Sequence, residues 1–293
     1  MHRVLEHVDR HLDQALELDA LAAVANFSPF HFHRLFSAWM GETLGDYVRR
    51  RRLELAALRL VSQPAASVLH VAMSVGFGSA EAFARAFKAR FGSSPSAWRA
   101  RERALRKIDQ TDSNPGQETI GAPSYREASH HSAAEASMKM TLTDREPTTV
   151  AYFRHVGAYG PPIDDFWRTV VAPWMRTNGL MGRTRFGISH DDPNITAPDK
   201  LRYDACVAVS PDFSGSGKYL TTVIPGGKYA CTRYSGSAAK IGEAWASLLR
   251  DWLPESGLQL DGRPFFEHYG TDAGFDPKTG VFSCDLCIPV TPL

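Results

Sequence analysis

Hydrophobic positions recur at helical spacing through the first third of the chain and at strand spacing through much of the second half. Leu18 to Ala25 and Val68 to Val75 each predict a short helix, followed by a tight break at Asn26-Phe27 and at Gly76-Phe77-Gly78. Behind each break a serine, Ser28 or Ser79, opens a longer helix, where its hydroxyl can satisfy free backbone N–H groups. Leu44 to Ser62 predicts one uninterrupted helix, about 28 Å long at about 1.5 Å per residue. Further on, β-rich runs such as Thr149 to Arg154 and Lys228 to Tyr234 alternate with turns and two amphipathic stretches.

Between these regions, residues 107–137 are polar, rich in Gly, Pro, Ser and Ala, and without apolar periodicity. That composition predicts an exposed, mobile linker between a domain at 1–106 and a second at 138–293. Charge divides at the same place. Residues 1–108 hold 16 Lys+Arg against 10 Asp+Glu, whereas the remainder holds 17 against 22. A basic half joined to an acidic half points to a polyanion partner for the first.

The chain of 293 residues has room for two ordinary domains, and 43% hydrophobic residues with 22% charged is a globular composition. No apolar run reaches the roughly 18 residues of a membrane span, so no membrane partner is expected. The charged N-terminus is unlike a secretory signal. Four cysteines, all beyond residue 200, fit a reducing cytoplasm and exclude a disulfide scaffold. Cytoplasmic localisation is the expectation.

The first half repeats itself at an offset of 51 residues: Ser28 with Ser79, Phe32 with Phe83, Arg34 with Arg85, Phe36 with Phe87, Gly41 with Gly92, Tyr47 with Trp98. Helix, short turn and capped helix, twice over, is the helix-turn-helix plan, whose second helix can enter a major groove. The intervening long helix would hold two such units about one DNA turn apart, near 34 Å, so a monomer could read two successive grooves of double-stranded DNA.

Ser28 to Phe36 (SPFHFHRLF), Gly76 to Ser79 (GFGS), Phe83 to Lys88 (FARAFK) and Phe91 to Arg99 (FGSSPSAWR) resemble the AraC/XylS class of transcription regulators. The resemblance covers residues 1–106 and implies an all-α domain of seven helices forming two helix-turn-helix subdomains. It places Phe30, His33 and Arg34 on the groove-facing end of the first recognition helix, with Ser79, Ala80, Glu81 and Arg85 as their equivalents on the second. Arginine can grip guanine with two hydrogen bonds and an aromatic edge can meet a thymine methyl. Arg49, Arg50, Arg51 and Lys88 are candidates for phosphate, which positions without reading sequence. The phenylalanines at 32, 36, 83, 87 and 91 lie at helical spacing and are expected in the core.

Residues beyond 138 also repeat, at an offset of 78 to 81: Trp167 and Trp174 with Trp245 and Trp252, and Asp204 to Val209 (DACVAV) with Asp285 to Val290 (DLCIPV). Each copy reads strand, helix, strand, strand. Two copies predict an α+β antiparallel-sheet domain built from a duplicated module, with a ligand cleft between them. Tyr152 to Gly157 (YFRHVG), Arg263 to Glu267 (RPFFE) and Asp285 to Val290 resemble the GyrI-like, SoxS/Rob-type effector-binding domain. That resemblance implies that Glu267 faces a pocket and meets cationic or polar ligands, with Ile188 at the equivalent place of the first copy.

A carboxylate held among aromatic side chains is costly to bury alone, and an aromatic cation would relieve it by charge pairing and stacking. Glu267, Tyr269, Tyr152, Trp174 and Phe266 are the candidate ligand-binding residues. The pair Trp167 and Trp174, seven residues apart, is also compatible with packing against the sheet. Cys284 and Cys287 lie three apart on a predicted strand and point to opposite faces, and Cys206 and Cys287 read as small core residues. No metal site, cofactor motif or nucleophile–base pair stands out. The leading expectation is a sequence-specific DNA-binding regulator, not an enzyme, whose second domain senses a small molecule, with RNA polymerase as a further partner. Two alternatives concern that domain: a small-molecule hydrolase using Glu267 with Tyr269 as general base, or a protein-binding module.

Overall fold

A computed structural model describes residues 2–111, 139–193, 196–276 and 278–292. The first half is helical: α1 (His2–Arg10), α2 (Leu18–Ala25), α3 (Pro29–Met40), α4 (Leu44–Ser62), α5 (Val68–Ser74), α6 (Ala80–Phe91) and α7 (Pro95–Thr111). α7 continues to Thr111, into the stretch whose composition predicts the linker; residues 112–137 of that linker lie outside the described residues.

Two cores share one rod. Leu5, Leu21, Phe32 and Phe36 close the first around Leu44 and Tyr47 of α4. Val71, Phe83 and Phe87 close the second around Leu53, Ala56 and Leu60 of the same helix. Burying a helix on two sides at successive turns fixes both helix-turn-helix units to one axis. The recognition helices α3 and α6 both have 12 residues. Each stops at a glycine, Gly41 (φ 66°) or Gly92 (φ 72°), whose left-handed conformation a β-carbon would disfavour. Their starts differ: Ser79 Oγ accepts from the Ala82 N–H at 3.1 Å, whereas Ser28 makes no side-chain cap and the helix opens on Pro29. Proline there lacks the N–H that would need a partner.

The second half begins with β1 (Met140–Arg145) and β2 (Thr148–Val156). Next, α8 (Pro161–Phe166) passes through a π-helical stretch, Trp167–Val171, into α9 (Ala172–Thr177). β3 (Arg185–Ser189), β4 (Arg202–Ala208), β5 (Leu220–Ile224) and β6 (Gly227–Ser237) follow. α10 (Ile241–Ser247) continues through a second π-helical stretch, Leu248–Trp252, into α11 (Leu253–Glu255). The chain closes with β7 (Leu258–Leu260), β8 (Phe266–Tyr269), β9 (Phe275–Asp276) and β10 (Val281–Pro292).

The main strands run β1-β6-β10-β8-β3-β4-β2-β5, every neighbour antiparallel. Alternation along each strand gives the sheet two distinct faces. One packs Ala151, Ala205 and Val207 on Trp174 and Met175, and Ala230, Leu286 and Ile288 on Leu248 and Leu253, so it carries the helices. The opposite face gathers Val150, Tyr152, Phe186, Ile188, Cys206, Tyr229, Cys231, Phe266 and Cys287. No helix among the described residues is long and apolar enough to cross a membrane.

Candidate DNA interface and ligand pocket

The proposed groove-facing residues lie on the outer surfaces of α3 and α6. Phe30 is 74% exposed, with the Arg34 guanidinium 5.8 Å from its ring centroid. His33, Arg34, Glu81 and Arg85 are exposed, and Ser79 and Ala80 half-buried at the start of α6. Arg49 and Lys88 are exposed as well, free to meet phosphate. The arginine run divides there.

Arg50 and Arg51 do not face solvent. Arg50 pairs with Glu42 at 2.7 Å and Glu54 at 3.0 Å. Arg51 pairs with Glu54 at 2.8 Å, Asp9 at 3.0 Å and Asp191 at 2.5 Å. Arg52, next in line, donates to the Leu12 and Gln14 carbonyls. The assignment of Arg50 and Arg51 to phosphate is therefore corrected: successive helical positions point about 100° apart, and these two point into the seam between the halves.

That seam is charged and buried. Arg202 of β4, wholly buried, donates to Asp191 at 2.9 Å, to Asp9 of α1 at 2.8 Å and to the Tyr47 hydroxyl of α4 at 2.5 Å. Thr196 donates to Glu54 at 2.6 Å, and Lys200 lies 3.5 Å from Glu42. Four cations (Arg50, Arg51, Lys200, Arg202) thus meet four carboxylates (Asp9, Glu42, Glu54, Asp191). Burial pushes the Asp191 carboxyl up, but Arg51 and Arg202 outweigh it and bring it down to about 2. Asp9 is likewise driven below the usual carboxylate range, burial being outweighed by Arg202 and Arg51. A balanced network of this kind fixes geometry more than it adds stability, since each ion gives up its hydration to enter.

On the helix-bearing face of the sheet, a cleft is lined by Ile163, Trp167, Tyr203, Trp245, Glu267 and Tyr269. Glu267 is 6% exposed and accepts from the Tyr269 hydroxyl at 2.9 Å and the Tyr203 hydroxyl at 3.2 Å. Trp167 Nε1 donates to Tyr203 Oη at 3.2 Å, extending the relay. Trp245 turns its ring N–H toward the carboxylate closely enough to favour the anion, yet forms no hydrogen bond. Burial pushes the Glu267 carboxyl up to about 6, against these donors. Asp164 at the cleft adds a second negative field. The Arg185 guanidinium sits 5.5 Å from the Tyr269 ring and 5.8 Å from the Trp167 ring.

Of the five residues expected here, the structure brings together Glu267 and Tyr269. Phe266 precedes Glu267 on a strand and so faces the opposite side, packed with Phe186 and Tyr229. Tyr152 lies on that opposite face too, 2% exposed. Trp174 packs against Phe153, Phe213 and Tyr219 and donates to the Ser216 carbonyl, away from the carboxylate. Trp167 stands in the cleft instead, because the π-helical stretch between the two tryptophans breaks the two-turn spacing that would have aligned them.

Nor does Ile188 answer Glu267 across the cleft. In the β3–β8 register Glu267 faces Gly187, while Ile188 turns to the other face. A β-carbon on Gly187 would stand 2.1 Å from Tyr203 Oη and 2.4 Å from Glu267 Oε2. Glycine is what lets the phenol and the carboxylate meet over the strand. Trp167, Tyr203, Trp245, Asp164, Arg185 and Gly187 were not among the expected pocket residues. Gly187 follows only from the β3–β8 register, and the others come from separate segments.

Residues 138–291 match the family described as GyrI-like small molecule binding domain, and residues 21–101 match a helix-turn-helix domain family. The second domain is similar to the SPbeta prophage-derived putative transcriptional regulator YosT of Bacillus subtilis, 30% identical over 52% of this chain and 99% of that protein. The first is similar to the regulatory protein SoxS of Salmonella typhimurium, 37% identical over 33% of this chain and 91% of that protein. Both halves together are similar to the right origin-binding protein of Escherichia coli, 25% identical over 97% of this chain and 95% of that protein. The chain belongs to the GyrI-like family and is a transcriptional regulator in which that domain follows an AraC-type helix-turn-helix DNA-binding domain.

Proposed function

We propose that the second domain binds a small aromatic cation over Glu267, and that its occupancy is read by the DNA-binding half. The observation that carries this reading is a buried carboxylate held by two phenols and, among the described residues, paired with no cation. Such a group gains from an incoming positive charge what it lost in hydration. The surrounding Trp167, Tyr203, Trp245 and Tyr269 offer aromatic faces, and a guanidinium, that of Arg185, already stacks on two of them. The strand order supports two related modules: β6-β10-β8 meets β3-β4-β2 at the β8–β3 joint, where Glu267 stands.

On the DNA side, Phe30, His33 and Arg34 read bases from α3, and Ser79, Ala80, Glu81 and Arg85 do so from α6, with Arg49 and Lys88 on phosphate. Both units belong to one chain and one rod, so a monomer suffices. Thermal-shift titration of the full chain with benzyltrimethylammonium and with its uncharged isostere neopentylbenzene tests the pocket. Stabilisation by the cation that disappears in Glu267→Gln supports it. Equal stabilisation by both compounds, retained in the variant, refutes the role of Glu267. Incubation with benzoylcholine, an aromatic cation that carries an ester, separates a sensor from the hydrolase alternative: a sensor returns it unaltered and a hydrolase releases benzoate.

A further inference from the structure

The face of the sheet turned away from the pocket carries a pair of thiols that neither DNA reading nor effector binding uses. Cys231 of β6 and Cys287 of β10 are register partners on adjacent antiparallel strands, and their Sγ atoms stand 3.2 Å apart. One sulfur–hydrogen bond is shared between them. The Arg145 guanidinium, from the end of β1, reaches both: Nη2 lies 3.4 Å from Cys287 Sγ and 3.9 Å from Cys231 Sγ. Its other face is held 5.6 Å from the Phe266 ring centroid, so the cation is fixed over the sulfurs.

We infer that Cys231 and Cys287 form a reversible dithiol site, oxidised to a cross-strand disulfide by hydroperoxides, with Arg145 as its activating cation. Position distinguishes the two sulfurs. Cys287 is wholly buried, whereas Cys231 keeps 8% of its surface, so Cys231 is the one a small peroxide meets first. The hydrogen bond between the two sulfurs, aided by Arg145, favours one thiolate in the pair against the effect of burial. As the more accessible of the two, Cys231 is the nucleophile and Cys287 the resolving thiol. The remaining cysteines serve as internal controls. Burial pushes the Cys206 and Cys284 thiols up, and carboxylates (Asp204 beside the first, Glu267 and Asp285 beside the second) push further in the same direction.

The chemistry balances in two steps. The Cys231 thiolate attacks one peroxide oxygen; the O–O bond breaks, the leaving alkoxide takes up a proton as alcohol, and Cys231 becomes a sulfenic acid. Cys287 then gives up its proton and attacks the Cys231 sulfur. The S–S bond forms, hydroxide leaves, and it takes up the Cys287 proton as water. Two thiols and one hydroperoxide yield one disulfide, one alcohol and one water, and an external thiol restores the starting state.

The test is applied to the full chain. Hydrogen peroxide in modest excess is expected to reduce the free thiols from four to two, and non-reducing peptide mapping is expected to find Cys231 joined to Cys287. Dithiothreitol is expected to return all four. Cys287→Ser is expected to stop at a Cys231 sulfenic acid that dimedone traps, and Arg145→Gln to slow peroxide reaction at least about tenfold. Oxidation at Cys206 or Cys284 in preference to Cys231 overturns the inference, as does failure of the native chain to form the cross-link. The mapping of the native chain decides even if a variant does not fold.

Discussion

Arg202 and Tyr203 are neighbours on β4 and point through opposite faces of one sheet. The Arg202 guanidinium holds α1 and α4 of the DNA-binding half through Asp9 and Tyr47, while the Tyr203 hydroxyl donates to Glu267 in the proposed ligand cleft. A single strand thus separates the proposed ligand from the seam that positions the rod between two recognition helices. Tyr159 braces the same spot, donating to the Arg202 carbonyl at 2.7 Å and stacking edge-on to Tyr203. A cation that draws the Glu267 carboxylate toward itself competes with that phenol, and β4 is where the competition is felt on both sides.

Removing Arg202 is expected to separate the halves. Arg202→Met leaves the buried Asp9 and Asp191 to share Arg51 alone, an under-compensated cluster whose cost approaches the about 3–5 kcal/mol of a broken buried pair. Calorimetric unfolding is the check, with a lower transition temperature and splitting into two transitions expected. Combining Asp191→Asn with Arg202→Met is expected to cost less than the sum of the single changes, because the two share the network.

The pH dependence of stability follows from Glu267. Its carboxyl sits at about 6 when folded, above the ordinary value of about 4.3. The sign is that of a raised group: its contribution is fully present below the unfolded pKa and lost as pH rises through the folded one. The native chain is therefore expected to lose about 2 kcal/mol from this group between pH 4 and pH 7. Glu267→Gln removes that loss. Denaturant melts of both proteins across this range measure the difference, which is expected to widen with pH. Asp191, held at about 2, keeps the seam intact over the same range.

Gly187→Ala is expected to break the pocket while leaving every ligand-facing residue unsubstituted. The added methyl collides with both Tyr203 Oη and Glu267 Oε2, and neither can retreat far in a buried site. Loss of about 1–3 kcal/mol is expected from the overpacking, together with loss of any cation-induced thermal shift. A variant with native stability and native response would show that the phenol–carboxylate contact is dispensable.

On DNA, the arginine run separates into two kinds. Arg49→Ala and Lys88→Ala are each expected to reduce the slope of log affinity against log salt by about 0.9, measured by fluorescence anisotropy at several salt concentrations. Arg51→Met is expected to leave the slope unchanged and to act through stability alone. Arg34→Ala is expected to cost about 1–3 kcal/mol on a preferred sequence and to relax preference at one base.

Local patterns in the sequence carried the first domain. α2 and α4 begin and end where apolar spacing, the breaks and the caps place them, and the 51-residue offset recurs in α3 and α6. The partners of the arginine run were not legible. Asp191 lies 140 residues from Arg51 in the chain, and nothing in either neighbourhood distinguishes a buried ion pair from a solvated helix face. In the second domain, the repeated strand and helix pattern indicated an antiparallel α+β fold, and the GyrI-like resemblance implied Glu267 as the acid of a pocket, but neither gave its surroundings. Adjacent strand residues cannot share a face, which removes Phe266. A π-helical insertion, invisible to a heptad count, exchanges Trp174 for Trp167.

Glu267, as the anion, is proposed to bind a cation. Titration calorimetry of the full chain with benzyltrimethylammonium at pH 7.5 and at pH 5 tests it most directly. With its carboxyl at about 6, Glu267 is mostly ionised at the higher pH and about one-tenth ionised at the lower, so affinity is expected to fall about tenfold. Glu267→Gln is expected to bind weakly at both. Binding of equal strength at the two pH values, preserved in the Gln variant, would rule out Glu267 as the cation's partner.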